Sequence, residues 1–445
     1  MSRVSVKDVQ NTTDIIEKLT AAELGLNVLY LDLNSCFATT EQQARPMLRH
    51  KPVAIANRMA GNSALIAASY EAKAKGVKVG MRRREAEQLC PDIIFVETEP
   101  SKYIYVHNKL KSILKDYSPN ICMKSVDEGL IDLTSAPVDI KTRPILEIAR
   151  EIKTRIHTEI GSYMSCNIGL GANRFLAKLA AELHKPDGLD MIIVHNVLIG
   201  DKEIPSNIRE VFSHLKLTDL PGINVRMEHR LNTYRINTPL ELLDAPEDVL
   251  RHQVCQSIEG TKWYERLRGI EVDEREDITK SIGRQFVLPP YTDNKTAELY
   301  LRHLCEDVGF RLRSQELFTR GVMVWFSSPE GHFHKNILEN RAHSSDQEIT
   351  DRAVKLFHDL IKTTTVPIRL IGVTLYKLTD VPEEQLTLFH KDEEKHQAAQ
   401  DAIDKINKRF GTRTIHSAHT LGTDEVKSKI PFGSTRYLDG YIDEA

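Results

Sequence analysis

The sequence predicts a multidomain chain: an α/β module, a stretch of short helices and a smaller α+β module. Three observations predict it. At 445 residues the chain exceeds the roughly 100–200 residues of one domain. Strand-like and helix-like segments alternate as far as Gly188, the pattern of an α/β module. Beyond the charged stretch 273–277, three strand-like runs and two helical ones make up a second, smaller domain.

The elements follow in order. Residues 1–25 are polar and read as an extension, with one amphipathic turn set in Ile15, Ile16 and Leu19. Residues 27–34 are apolar and β-prone, a strand, and a helix follows over 37–43. A short strand covers 51–56. Residues 66–68 run into a helix over 70–75 that Gly76 stops. A helix over 82–89 ends near Pro91, and 93–96 is a strand. Residues 149–160 read as a helix and 165–170 as a strand. Gly169-Leu170-Gly171 reads as a tight turn into a helix over 175–183, which Lys185-Pro186-Asp187-Gly188 closes. Residues 190–262 carry short helices with turn signals, and Trp263-Tyr264 falls in a helical pattern that suits core packing. Strands over 282–288, 321–326 and 369–378 accompany helices over 297–312 and 351–362. A late helix over 394–410 shows an apolar face of Ala398, Ala399, Ala402, Ile403, Ile406 and Phe410.

Composition narrows the class. The net charge of −3 excludes a uniformly basic coat, so any nucleic-acid surface must be local. Six cysteines without C-x-x-C spacing argue against structural zinc or a disulfide framework. No apolar run approaches the ~20 residues of a membrane span, and the N-terminus lacks a signal-peptide core. The reading is a cytoplasmic protein without membrane association.

Three carboxylates carry the chemistry. Asp32 interrupts Val28-Leu29-Tyr30-Leu31-Asp32-Leu33-Asn34, and Asp127 and Glu128 lie within Ser125-Val126-Asp127-Glu128-Gly129-Leu130-Ile131-Asp132. A carboxylate in an apolar strand is costly unless a cation or donor compensates it. If the two strands are neighbours, the three converge on a site suited to two Mg²⁺ ions, which favour carboxylate oxygens and phosphates. Read alone, the same residues also suit strand-end caps of turns.

Around these carboxylates stand Asp32-Leu33-Asn34-Ser35-Cys36-Phe37-Ala38, Lys51-Pro52-Val53, Ala68-Ser69-Tyr70-Glu71-Ala72-Lys73, Gly80-Met81, Asn173-Arg174-Phe175-Leu176-Ala177-Lys178 and Lys280-Ser281-Ile282-Gly283-Arg284. In order and spacing this set resembles the Y-family, or translesion, DNA polymerases, and its last piece resembles the DNA polymerase IV (DinB) branch. The resemblance runs from about residue 27 to about residue 390. It implies a right-hand polymerase with a ferredoxin-like palm (26–36 and 99–187), small fingers (37–98) and a helical thumb with a helix-hairpin-helix (188–262). A linker (263–278), an α+β little finger (279–379) and a C-terminal tail (380–445) follow.

The resemblance also implies template-directed addition of deoxynucleotides to a primer 3′-end, at low fidelity and without proofreading. Asp32, Asp127, Glu128 and the Leu33 carbonyl match the ligands of two Mg²⁺ ions. Phe37 matches the gate that rejects a 2′-hydroxyl, although by itself it also suits ordinary packing. Tyr70, Lys73 and Lys178 match residues that hold the incoming triphosphate, for which cations and a phenol are apt. Three positions depart from the pattern. Asn34 stands where many relatives carry Asp, Lys73 where Arg is common, and Ala67 where a hydroxyl residue is frequent.

Leu220-Pro221-Gly222-Ile223-Asn224 resembles the thumb hairpin, whose Gly222 lets backbone N–H groups approach DNA phosphates; Asn224 stands where a second Gly is usual. Lys280, Arg284, Arg311, Arg313 and Arg320 are the candidate DNA-backbone contacts of the little finger. Gln385-Leu386-Thr387-Leu388-Phe389 resembles the bacterial sliding-clamp-binding peptide, with Gln385, Leu386, Leu388 and Phe389 as its contacts. The expected partners are primer-template DNA, deoxynucleoside triphosphates and the clamp, with the chain a monomer. Two rivals remain. One is a catalytically weak or silent accessory homologue, against which the retained carboxylates argue. The other is a nucleotidyl cyclase, which has no use for the hairpin or the clamp peptide.

Overall fold

The computed structural model describes residues 14–57, 59, 62–273, 279–289, 292–363, 367–380, 391–411, 413–423 and 426. The chain divides into two compact units near residue 275.

In the first unit, β1 (Val28–Leu33) leads into α1 (Cys36–Ala44). β2 (Val53–Ala56), β3 (Leu65–Ala68), α2 (Tyr70–Ala74), α3 (Arg83–Leu89) and β4 (Ile94–Glu97) follow, with sheet order β3-β2-β4. Then come α4 (Pro100–Lys115), β5 (Ile121–Met123), β6 (Glu128–Asp132), α5 (Ile145–Arg155), β7 (Cys166–Gly171), α6 (Arg174–Leu183) and β8 (Leu189–Ile192). The larger sheet runs β5-β6-β1-β7-β8. β1 lies at its centre and antiparallel to both neighbours, so Asp32 faces Glu128 across one ladder and Asn167 across the other.

Burial explains the placements. Leu29, Leu31, Ile131, Ile168 and Leu170 are buried on one sheet face with Leu110, Ile113 and Leu114 of α4 and Ile145, Ile148 and Ile152 of α5. α4 falls where the sequence reading assigned no element, yet Tyr103, Val106, His107, Leu110 and Leu114 recur at helical spacing on its buried side. The reading of 1–25 as a bare extension is corrected at its end. Leu19 and Leu24 are buried in this core, and Glu17 takes two 2.6 Å hydrogen bonds from Arg150.

The tight turn expected at Gly169-Leu170-Gly171 is also corrected. Both glycines are extended residues of β7. A Cβ on Gly169 would fall 2.1 Å from the Ala177 carbonyl oxygen, and one on Gly171 would fall 2.4 Å from the Ala177 nitrogen. They let α6 lie directly on the strand.

A short hairpin, β9 (Val197–Ile199) and β10 (Lys202–Ile204), precedes the helices α7 (Ile208–Ser213), α8 (Val225–Thr233), α9 (Pro239–Asp244) and α10 (Glu259–Arg266). Their core holds Phe212, Leu220, Ile223, Leu231, Leu250, Trp263 and Leu267. Two expected boundaries move. β8 joins the sheet beyond residue 187 because it pairs parallel with β7. The linker does not begin at 263. Trp263 packs edge-on against Phe175 at 5.5 Å, and Arg266 clamps Asp273 with bonds of 2.8 and 2.6 Å. Gly222 takes a positive φ of 93°, as the hairpin needs. Asn224 needs no left-handed backbone: its φ is −97°, and its side chain caps α8 by accepting from the Met227 N–H.

The second unit comprises β11 (Ser281–Val287), α11 (Asn294–Arg313), β12 (Phe318–Ser328), β13 (Gly331–His343), α12 (Asp346–Thr363) and β14 (Leu370–Thr379), with sheet order β11-β14-β12-β13. β13 was not anticipated, because a polar edge strand shows little apolar alternation. The late helix α13 (Lys391–Phe410) belongs to this unit, not to a separate tail. Only part of its expected apolar face is covered: Ile403 and Ile406 are half-buried, while Ala398, Ala399, Ala402 and Phe410 are exposed. Polar groups add to this contact. Asp404 receives Arg313, Gln400 reaches Asp346 at 3.1 Å, and Asn407 is buried.

Candidate active site

The end of β1 and the start of β6 bring two carboxylates together. The side chains of Asp32 and Glu128 are 13% and 22% exposed, so each sits in a partly dry setting that demands a counter-charge. Two lysines of the α6 region provide it. Lys178 Nζ donates to Glu128 Oε1 at 2.7 Å and to the Tyr30 hydroxyl at 3.1 Å. Lys185 Nζ donates to Asp32 Oδ2 and stands 2.8 Å from Glu182.

The sequence reading missed Lys185 and Glu182. Glu182 carried a signal in its spacing, since it stands at i+4 from Lys178 on one face of α6, whereas Lys185 lies past the end of that helix and carried none.

Among the described residues, one group of three acidic side chains brings its ligand atoms within 4.8 Å of one another: Asp32, Glu128 and Glu182. Asp127 lies beside this group rather than in it. Ser125 Oγ donates to Asp127 Oδ1 at 2.5 Å and holds that carboxylate in its own turn, while the Asp127 carbonyl accepts from the Leu33 N–H at 3.0 Å. Burial pushes the Asp32 carboxyl up to about 6, with Asp127 and Glu128 adding to the rise and Lys185 opposing it. Burial likewise raises Asp127. An all-oxygen donor set of crowded carboxylates is what a hard divalent cation satisfies.

The turn after β1 supports the next layer. Ser35 adopts φ 47°, and its Oγ accepts from Lys73 Nζ at 2.7 Å. Asn34 accepts from the Tyr70 hydroxyl at 3.2 Å. Tyr70 and Lys73 share α2, with Nζ 4.7 Å from the ring centre, so phenol and ammonium stand together above the β1 end. Burial lowers the Lys73 ammonium, and nearby Lys185 adds to that. Phe37 opens α1. It is buried, and its ring centre lies 4.4 Å from that of Tyr103.

The candidate DNA contacts of the second unit are placed differently from one another. Lys280 is exposed. Arg284 lies 3.3 Å from Asp307, and Arg311 donates to the Gly283 carbonyl at 3.1 Å. Arg320 is half-buried on β12. Arg313 is corrected. Its side chain is 8% exposed and spent internally on Asp346 at 2.8 Å, Asp404 at 2.6 Å and the Ser344 carbonyl at 2.7 Å. Gln385, Leu386, Leu388 and Phe389 lie outside the described residues. No described helix is long and apolar enough to cross a membrane.

A mixed sheet bearing paired carboxylates, a flanking lobe that brings cations near them and a separate α+β unit are the arrangement of a nucleotidyl-transferring polymerase. Family-wide comparison matches residues 31–182 to the impB/mucB/samB family and 279–388 to the C-terminal domain of that family. DNA polymerase IV of Moorella thermoacetica is 35% identical over 405 residues, covering 89% of this chain and 96% of that protein. DNA polymerase IV 1 of Bacillus subtilis is 28% identical, covering 94% and 98%. Among solved structures, a Dbh-based Y-family polymerase chimera aligns with a TM-score of 0.67 at 23% identity, covering 79% of this chain and 98% of its own. An insertion ternary complex of Dbh DNA polymerase gives 0.56 at 24% identity, covering 78% and 98%. The chain belongs to the impB/mucB/samB family, the Y-family DNA polymerases, and within them to the DinB-like group. It is a DNA-directed DNA polymerase of the translesion type, with the right-hand fold and little finger of that family.

Proposed function

We propose that Asp32, Asp127 and Glu128 are the catalytic carboxylates, that the cations of the site are two Mg²⁺, and that the Leu33 carbonyl completes the ligand set. The observation that carries this reading is the pairing of Asp32 with Glu128 across neighbouring strands beneath Lys178 and Lys185. The substrates are primer-template DNA and deoxynucleoside triphosphates. Mg²⁺ supplies Lewis-acid charge for attack by the primer 3′-oxygen and for the departing pyrophosphate.

The chain's own groups orient the nucleotide. Lys178, Lys185, Lys73 and Tyr70 offer three ammonium groups and a phenol around the carboxylates, and phosphate oxygens are strong acceptors for them. Such prepositioned charge is the main catalytic resource for phosphoryl transfer. Phe37, buried against Tyr103 just past the end of β1, is the residue that selects the deoxy sugar.

The domain reading is a palm built on the five-stranded sheet, fingers over 37–98, a thumb ending with α10, and a little finger from 279. Gly222 of the thumb and Lys280, Arg284, Arg311 and Arg320 of the little finger are the proposed DNA-backbone contacts. Gln385, Leu386, Leu388 and Phe389 are proposed to bind the sliding clamp. The chain works as a monomer in the cytoplasm.

The experiment is extension of a primed DNA template with Mg²⁺ and four deoxynucleotides, comparing wild type with D127A/E128A. Extension by wild type and its loss in the variant is expected; equal extension by both would remove the carboxylate assignment. For the tail, L388A/F389A should abolish stimulation by clamp while distributive synthesis persists. Stimulation retained in that variant would return the segment to a packing role.

A further inference from the structure

Asn34 has no part in the chemistry assigned so far, yet it is 3% exposed and sits two residues beyond Asp32. A buried amide requires partners for both ends, and those of Asn34 come from α2 and from the start of β7. Its Oδ1 accepts from the Tyr70 hydroxyl of α2 at 3.2 Å and from Asn167 Nδ2 of β7 at 2.5 Å. Its Nδ2 donates to Ser165 Oγ at 2.9 Å. Asn167 is 1% exposed, and its own Oδ1 accepts from the Gly188 N–H at 2.9 Å, three residues past Lys185. The Thr39 hydroxyl holds the Asn34 carbonyl at 2.6 Å. One chain of hydrogen bonds, buried at its Asn34–Asn167 centre, therefore runs from the Tyr70 phenol, through Asn34 and Asn167, to the loop that carries Lys185.

We propose that Asn34 is a positioning residue for the incoming nucleotide: it brackets the fingers-side phenol of Tyr70 to the palm strand and to the Lys185 loop. The proposal rests on the assignment of Tyr70 as a triphosphate contact. A phenol donates one hydrogen bond, so the Tyr70 hydroxyl passes from Asn34 to a phosphate oxygen when the nucleotide arrives, and Asn34 keeps Asn167 as a donor. The bond holds the ring ready beforehand, and prior ordering of a binding group lowers the cost of binding. The neutral amide performs this without adding a carboxylate beside Asp32 and Asp127. Without it, the half-buried phenol loses the acceptor that orders it, and the buried Asn167 Nδ2 loses its acceptor, which costs more than the bond itself contributed.

The test is a double-mutant cycle of Asn34→Leu with Tyr70→Phe in the full chain, reading KM for the deoxynucleotide, kcat and the melting temperature. Asn34→Leu is expected to raise KM roughly three- to tenfold, the equivalent of one hydrogen bond, with kcat within about twofold. Tyr70→Phe should raise KM similarly, and the double variant should go no further, because both act through the same phenol. A raised KM for Tyr70→Phe with an unchanged or lowered KM for Asn34→Leu, or with fully additive effects, overturns the positioning role. An unchanged KM for Tyr70→Phe instead removes the Tyr70 assignment, and this inference with it. If Asn34→Leu does not fold, Asn34→Ala, which leaves space for water, is judged by the same criteria.

Discussion

Phe37 is held from behind. Its ring meets Tyr103 of α4, and the Tyr103 hydroxyl donates at 3.2 Å to Glu41, a carboxylate with no exposed surface that also receives Lys102 at 3.0 Å. A side chain fixed by such a contact cannot swing aside for an extra oxygen, which is what a gate against ribose requires. Phe37→Ala is therefore expected to raise ribonucleotide incorporation, by roughly ten- to a hundredfold for removal of one steric contact, while deoxynucleotide addition continues. Incorporation assays with paired ribo- and deoxynucleotides check this. Unchanged discrimination would leave Phe37 as a packing residue. The same view of single residues explains Lys185, bonded to Asp32, a carboxylate that burial alone would push toward neutrality.

α6 carries Lys178, and its seat on β7 depends on two missing side chains. A Cβ on Gly169 would stand 2.1 Å from the Ala177 oxygen and 2.2 Å from the Ala181 nitrogen, both backbone atoms that cannot turn away. Gly169→Ala must shift the helix, and overpacking of this kind costs about 1–3 kcal/mol. We expect a lower melting temperature together with weakened nucleotide binding, measured by thermal unfolding and KM. A variant with wild-type values for both would show that the strand and helix can part without consequence.

At this scale the sequence was informative wherever a segment had one strong period. β1, β7, α6, α11 and β14 were legible because their apolar residues recur at the spacing of their element. α4 was not, because Lys102, Lys109, Lys111 and Lys115 dilute a buried stripe that is clear only once its face is known. β13 was missed for a similar reason, its exposed edge carrying mostly polar groups. Asp32 and Glu128 could be placed on strands from the pattern, but their pairing rested on the two strands being neighbours, which the sheet order supplies. The Lys185 contact could not, since it depends on how the chain turns after α6 rather than on local preference.

The molecule is two compact units, each with its own core, and the C-terminal segment is part of the second. That segment is fastened by ion pairs and hydrogen bonds, with Val426 buried in the core. Arg313 joins Asp346 to Asp404, Arg413 reaches Glu306, and His303, 2% exposed on α11, pairs its Nδ1 with Thr423 Oγ1 at 2.7 Å. Burial, reinforced by Arg413, Arg284 and His416, pushes His303 down to about 3, while Asp307 stands 3.8 Å from its Nε2.

A histidine that ionises near 6.5 when unfolded but near 3 when folded gives the unfolded chain the greater proton uptake between those values. Stability of the second unit must then fall as pH drops from about 6.5 toward 3, by up to about 1.4 kcal/mol per pH unit for this one group. The carboxyls of Glu306, Asp307 and Asp346, raised by burial, act with the opposite sign. The informative quantity is therefore the difference between wild type and His303→Gln. Between pH 7 and pH 5 the wild type should lose about 2 kcal/mol more than the variant, read from urea midpoints followed by hydrogen exchange in α11. Equal losses in the two proteins would mean that His303 takes up its proton without leaving the fold, and that the C-terminal segment stays fastened in acid.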